Sequence, residues 1–192
     1  MNLNRLRKRA FSLVELMIVV AIIGVLSTLA IQGVRRYLAN AKSAEARNAL
    51  GTMARNAVDA YEREKMANPT GAMAAGDSVS TGAKEFCTAA ATAVPSEVTK
   101  IAAKKYQSNP TDWEAGADVK AGWRCLKFSV DSPQAYQYNY LNPTAGTNGK
   151  FTAQAIGDLD GDATYSTFSI FGEATSGVAR FSPSIAETNP DE

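Results

Sequence analysis

Three groups of side chains in this chain have the types and spacing to do chemistry. Glu15 is the single charge between Ala10 and Val34, within a stretch that is apolar as far as Ile31. A carboxylate at the edge of a membrane-length apolar segment is costly unless something neutralises it. Asp158, Asp160 and Asp162 alternate around Gly161, and hard oxygen ligands at such spacing can hold calcium. The stretch is not an EF-hand: Gly161 stands fourth instead of sixth, and Ser169 occupies the twelfth place, where a bidentate Glu is needed. A plain hairpin turn is the other reading, because Asp-Gly is a strong turn signal. Cys87 and Cys125 are the only cysteines, and histidine is absent. That absence removes Ser-His-Asp and Cys-His catalysis and any His-ligated metal site. With no C-x-x-C spacing, no Gly-rich phosphate loop and no identifiable carboxylate pair, an enzyme is not expected.

These residues need elements to position them. Arg5, Arg7, Lys8 and Arg9 precede the apolar run and Arg35-Arg36 follow it. Basic residues before the segment keep that end cytoplasmic, so the remainder faces the other side, for a bacterial chain the periplasm and then the exterior. In that oxidising compartment an even pair of cysteines is most simply a disulfide, here enclosing 37 residues; two buried thiols are the alternative. The formal charge is +1, and removing residues 1–10 takes away four positive charges and no negative one, leaving −3. No basic run beyond the first residues suggests a nucleic-acid partner. A secretory signal cut near Ser27-Thr28-Leu29-Ala30 fits poorly, because the helical pattern runs on through that site. A plain anchor accounts for the length but not for Glu15.

The pattern predicts one helix over 12–66, about 80 Å long, apolar all round in its first half and amphipathic in its second. Ala46, Leu50, Met53, Ala57 and Tyr61 recur at helical spacing and mark a buried stripe. Asn68-Pro69-Thr70-Gly71 stops the helix, and 67–83 reads as a flexible loop. Short helices are expected over 84–92, carrying Cys87, and over 96–106, with Val98, Ile101 and Ala102 on one face. Trp113 sits in a loop and needs cover. From Trp123 to Val130 the period becomes two, which predicts a strand, followed by a second with Tyr136, Tyr138 and Tyr140 on one face. Phe151–Gly157 and Tyr165–Phe171 form a hairpin around the aspartates. A weaker strand covers Val178–Phe181, and the tail after Ser182 reads as loose. The sum is an α+β fold, a long N-terminal helix packed on a four- to five-stranded antiparallel sheet.

Arg9-Ala10-Phe11-Ser12-Leu13-Val14-Glu15 and the run on to Gly24 resemble the leader and opening helix of type IV pilins and their pseudopilin relatives. The resemblance implies a leader over 1–10, cut between Ala10 and Phe11 by a prepilin peptidase, with N-methylation of Phe11. A transmembrane or filament-core helix over 11–34 and a globular domain over 35–192, including the amphipathic half of the helix, would follow. Glu15 becomes the fifth residue of the mature chain, paired with the α-amino group of Phe11 on a neighbour. Two departures stand out: Ala10 replaces the usual Gly before the cut, and Gln32, followed by Gly33, stands where most pilins have a helix-bending Pro. Softer resemblances lie in Trp123–Phe128, Pro133–Tyr140 and Gly157–Asp162. The function implied is a structural subunit of a pilus or pilus-like filament for adhesion, motility or DNA uptake. Its partners would be copies of itself or other pilins, the peptidase and an assembly platform. The precursor would sit in the inner membrane and the product at the cell surface. No cofactor is implied beyond calcium at Asp158, Asp160 and Asp162. The alternatives are a pseudopilin of type II secretion, which stays in the periplasm, and an anchored periplasmic binding module that never polymerises.

Overall fold

A computed structural model of the chain describes residues 11–63, 84–114, 121–144 and 148–190. The expected leader with Ala10, the loop over 67–83 and the last residues of the expected helix lie outside these. The chain divides into two units, Met1–Leu38 and Ala39–Glu192.

Helix α1 spans Leu13–Glu62. Its part in the first unit holds no proline, and every large apolar side chain from Leu13 to Leu38 is exposed. Ser27 and Thr28, the aliphatic hydroxyls in this stretch, donate to the carbonyls of Ile23 and Val25 at 2.7 Å each. Each thereby satisfies its one donor within the helix itself, as a hydroxyl in an apolar environment must.

In the second unit the character of α1 reverses. Ser43, Ala46, Leu50, Met53, Ala54, Ala57, Ala60 and Tyr61 are buried, which is the expected stripe extended at three- and four-residue intervals. Four of the eight are alanines, so this face is low. The sheet opposite supplies the bulk: Tyr136, Tyr138, Tyr140, Phe151 and Phe168 share one core with that stripe. Large rings against small methyl groups fill the interlayer space at protein density.

The sheet is antiparallel, ordered β1 (Tyr136–Thr144), β2 (Lys150–Gly157), β3 (Ser166–Thr175), β4 (Val178–Phe181), with β5 (Ala186–Thr188) also paired to β3. The three tyrosines alternate to one face as the period predicts, each 1% exposed or less. Two glycines make room for rings crossing from the neighbouring strand. Gly157 lies opposite Tyr136 and Gly172 opposite Phe151, and a methyl at either would run into that ring.

Four expectations are corrected. Residues 84–92 are extended, not helical: Thr88 bridges Ala121, and the Ala90 and Val94 N–H groups donate to the carbonyls of Tyr140 and Tyr138 at 2.9 Å. The open edge of β1 takes those hydrogen bonds and outweighs local helix preference. Only a 3₁₀ turn, Val98–Lys100, forms where a helix was expected over 96–106; of the three residues expected on one face, Ile101 is buried while Val98 and Ala102 are half-buried. Trp123–Val130 is not a strand. Gly122–Leu126 is a helix, α2, opened by Gly122 at φ 53° and closed by Lys127 at φ 52°. Trp123, Cys125 and Leu126 turn inward from it, and the apparent period of two came from these few anchors. The tail is not loose throughout, since β5 pairs with β3.

The Cys87–Cys125 disulfide forms, with Cα atoms 5.7 Å apart, and joins the extended 84–94 segment to α2. Trp113 finds its cover beside it: its ring lies 5.1 Å from that of Trp123 and 5.5 Å from that of Phe128. Both indoles keep a partner, Trp113 Nε1 donating to Ser108 Oγ and Trp123 Nε1 to the Thr92 carbonyl, each at 3.0 Å.

Candidate functional site

The start of α1 is built by a cap. The Glu15 backbone N–H donates to Ser12 Oγ at 3.1 Å, so Ser12 is the N-cap and Glu15 the third helical residue, the Ser-x-x-Glu spacing of a capping box. Sequence reasoning treated Glu15 only as a charge in an apolar run and missed this local reason for an acid, although the spacing was legible. An acid in the first turn also suits the positive end of the helix dipole. Phe11 is 77% exposed just before the cap, and Glu15 is exposed in the first turn. The face that follows is apolar on all sides, and a Cβ at Gly24 or Gly33 would meet nothing within 4 Å. Nothing in the described chain covers this surface.

The aspartates sit in the β2–β3 turn. Asp158 is buried, while Asp160 and Asp162 are exposed, and one carboxylate oxygen from each lies within 4.8 Å of the others. Each also accepts a backbone N–H: Asp158 from Gly161 at 2.7 Å, Asp160 from Asp162 at 3.2 Å, and Asp162 from Thr164 at 2.6 Å. These bonds, with Gly161 at φ 86°, make a complete turn by themselves. The second oxygen of each carboxylate is the group left for a hard cation, which takes six to eight oxygens. Three carboxylates fit such an ion as a partial ligand set that backbone carbonyls or water would complete.

One long-range contact was not legible in the sequence. Arg47 on α1 forms a two-pronged pair with Glu187 on β5, Nε to Oε1 at 2.8 Å and Nη2 to Oε2 at 3.1 Å. Its guanidinium lies 4.9 Å from the centre of the Phe168 ring, and Nη1 donates to Ser43 Oγ at 3.1 Å. The hydrogen bond to Arg47 lowers the Glu187 pKa, and the same bond raises that of Arg47. Burial pushes the Tyr138 and Tyr140 phenols well above their ordinary value.

The long helix on a five-stranded antiparallel sheet, with an uncovered apolar stretch tipped by one acid, is a pilin-like architecture. Residues 5–31 match the family model of the prokaryotic N-terminal methylation motif, so the chain carries the leader signature of type IV pilins and pseudopilins. No curated protein and no solved structure matches the chain. The matched motif is that of a structural family, not of an enzyme, and together with the apolar helix it supports a membrane-anchored precursor.

Proposed function

We propose that the chain is a structural subunit of a type IV pilus or pilus-like filament. The observation that carries the reading is the match at residues 5–31 falling on a helix whose apolar surface is uncovered in the described chain. In this reading a prepilin peptidase cuts between Ala10 and Phe11, and Phe11 is methylated. The assembly platform then lifts the helix from the inner membrane into a bundle with other subunits. Burying apolar area at about 25 cal/mol per Å² drives the packing. Glu15 pairs with the α-amino group of Phe11 on the preceding subunit, because a lone carboxylate in hydrocarbon or a dry bundle is expensive. Mass spectrometry of the protein from sheared cell-surface material tests both processing and export. The expected N-terminus is N-methylated Phe11; a native chain beginning at Met1, or well beyond Ile31, ends the proposal.

The aspartate turn favours a second reading, a pseudopilin of type II secretion with calcium on Asp158, Asp160 and Asp162. Calorimetric titration of the processed chain in detergent separates the two. Heat at or below millimolar calcium that is lost in Asp160→Asn/Asp162→Asn supports this reading, and no heat leaves the turn alone. A non-polymerising anchored module is separated by deleting residues 1–9, because such an anchor does not depend on peptidase processing.

A further inference from the structure

The charge-free part of α1 ends abruptly. From Leu16 to Val34 no side chain is charged, which is about 28 Å of helix and close to the ~30 Å of a bilayer's hydrocarbon. Arg35, Arg36 and Tyr37 follow at once, and Tyr37 is 73% exposed. No ion pair, ring contact or side-chain hydrogen bond joins any of the three to another described residue. Arg47, on the same helix, is by contrast engaged with Glu187, Ser43 and Phe168. Successive helical residues point about 100° apart, so the three side chains fan around more than half of the helix.

A guanidinium offers five N–H donors in a fork that matches phosphate oxygens, and tyrosine rings settle at headgroup depth. We infer that Arg35, Arg36 and Tyr37 form a collar that binds phospholipid phosphates on the non-cytoplasmic face and fixes the depth of the helix. The inference rests on the membrane-anchored precursor of the proposed function and deepens it. In the precursor, Arg5, Arg7, Lys8 and Arg9 outnumber the collar's two arginines, which keeps the orientation despite positive charge on the far side. Cleavage before Phe11 removes all four. The cytoplasmic end then keeps one α-amino group close to Glu15, and the collar becomes the main cationic hold. The mature helix is thus gripped from the side toward which a subunit leaves.

The test uses the processed chain in vesicles of phosphatidylethanolamine and phosphatidylglycerol, in phosphate-free buffer so that lipid is the sole source of phosphorus. Dipolar recoupling between ¹³C-labelled guanidinium groups and ³¹P is expected to show a contact that disappears in Arg35→Gln/Arg36→Gln. The native cysteines are joined and no free thiol remains among the described residues, so Leu38→Cys accepts a single spin label. In the Gln variant that label is expected to sink by about 5 Å, one helical turn. A contact unchanged in the variant, no contact at all, or an unmoved label overturns the collar. A second label at Val25→Cys keeps the two readings apart. If it lies in water, the membrane anchor itself fails. If it lies in hydrocarbon while the Leu38 label stays put, only the collar fails.

Discussion

The two stretches of α1 dispose of apolar surface in opposite ways. From Leu13 to Leu38 each large hydrophobic side chain is exposed, whereas Leu50, Met53 and Tyr61 are fully covered. The difference is not one of hydrophobicity, since the covered stretch is rich in alanine and charge. It is one of partnership: the stripe from Ser43 to Tyr61 has a sheet of complementary shape in its own chain, and the earlier stretch has none among the described residues. An apolar helix without an internal partner finds one in lipid or in other chains. The two stretches should therefore answer differently to mutation, one in assembly and the other in folding.

Glu15→Gln is expected to separate them most widely. Glutamine still serves in a capping box, so the helix start survives while the charge is lost. Stranding the partner charge costs about 3–5 kcal/mol, so filament yield should fall about a hundredfold or more while the melting temperature of the unit holding the sheet does not move. Filaments at normal density in Glu15→Gln, counted by electron microscopy, would leave the cap as the residue's only role. Breaking the disulfide is the converse. Cys87→Ala/Cys125→Ala is expected to lose about 4 kcal/mol by the loop-entropy argument, read from the midpoint of chemical denaturation, with the membrane anchoring of α1 unchanged.

A smaller effect probes how the sheet meets the helix. In Gly172→Ala the added methyl group enters the space of the Phe151 ring, and overpacking of this kind costs about 1–3 kcal/mol. Phe151 also touches Phe86 at 5.0 Å and Tyr140 at 5.7 Å between ring centres, so it has little room to retreat. The double variant Gly172→Ala/Phe151→Leu should recover part of the loss. Equal destabilisation in both would show that the clash is not the cause.

The elements legible in the sequence are those whose reason is local. The apolar run, the stripe of α1, the alternating tyrosines of β1 and the hairpin flanking Asp158–Asp162 are set by neighbours within a turn or a strand. What escaped depends on distant partners. The segment at 84–94 is extended because its N–H groups close the edge of a strand some fifty residues later, and α2 curls because Cys125 and Trp123 must reach that segment. The Arg47–Glu187 pair leaves no local trace, because Arg47 lies outside the apolar stripe of α1 and Glu187, 140 residues away, lies in the tail expected to be loose. The N-terminal candidate site was readable for the same local reason as its helix. The cap at Ser12 is equally local: its Ser-x-x-Glu spacing is a helix-start signal in its own right, masked by the lone charge of Glu15 in an apolar run.

The Arg47–Glu187 pair offers the mildest test and a sign that can be worked out. Glu187 has a lowered pKa in the folded chain, first because Arg47 hydrogen-bonds to the carboxylate. A lowered carboxylate pKa contributes stability above its ordinary unfolded value, about 4.3, and loses it as the pH falls through the folded value. The raised pKa of Arg47 acts in the opposite sense, being lost only at strongly alkaline pH, so it plays no part between pH 3 and 8. Both side chains are about a third exposed, 36% and 33%, so solvent screens the pair. Its two-pronged geometry and the Phe168 ring argue for about 0.5–1 kcal/mol, the upper part of the range for exposed pairs. Glu187→Gln should therefore lower the denaturation midpoint slightly at pH 7 and flatten the acid limb of the stability curve below about pH 4.5. Since β5 is held by three pairs to β3 and by this contact, hydrogen exchange at Ala186–Thr188 should quicken in the same variant. If exchange there is unchanged while the acid limb flattens, the pair steadies α1 around Ser43 and Arg47 more than it fastens the tail.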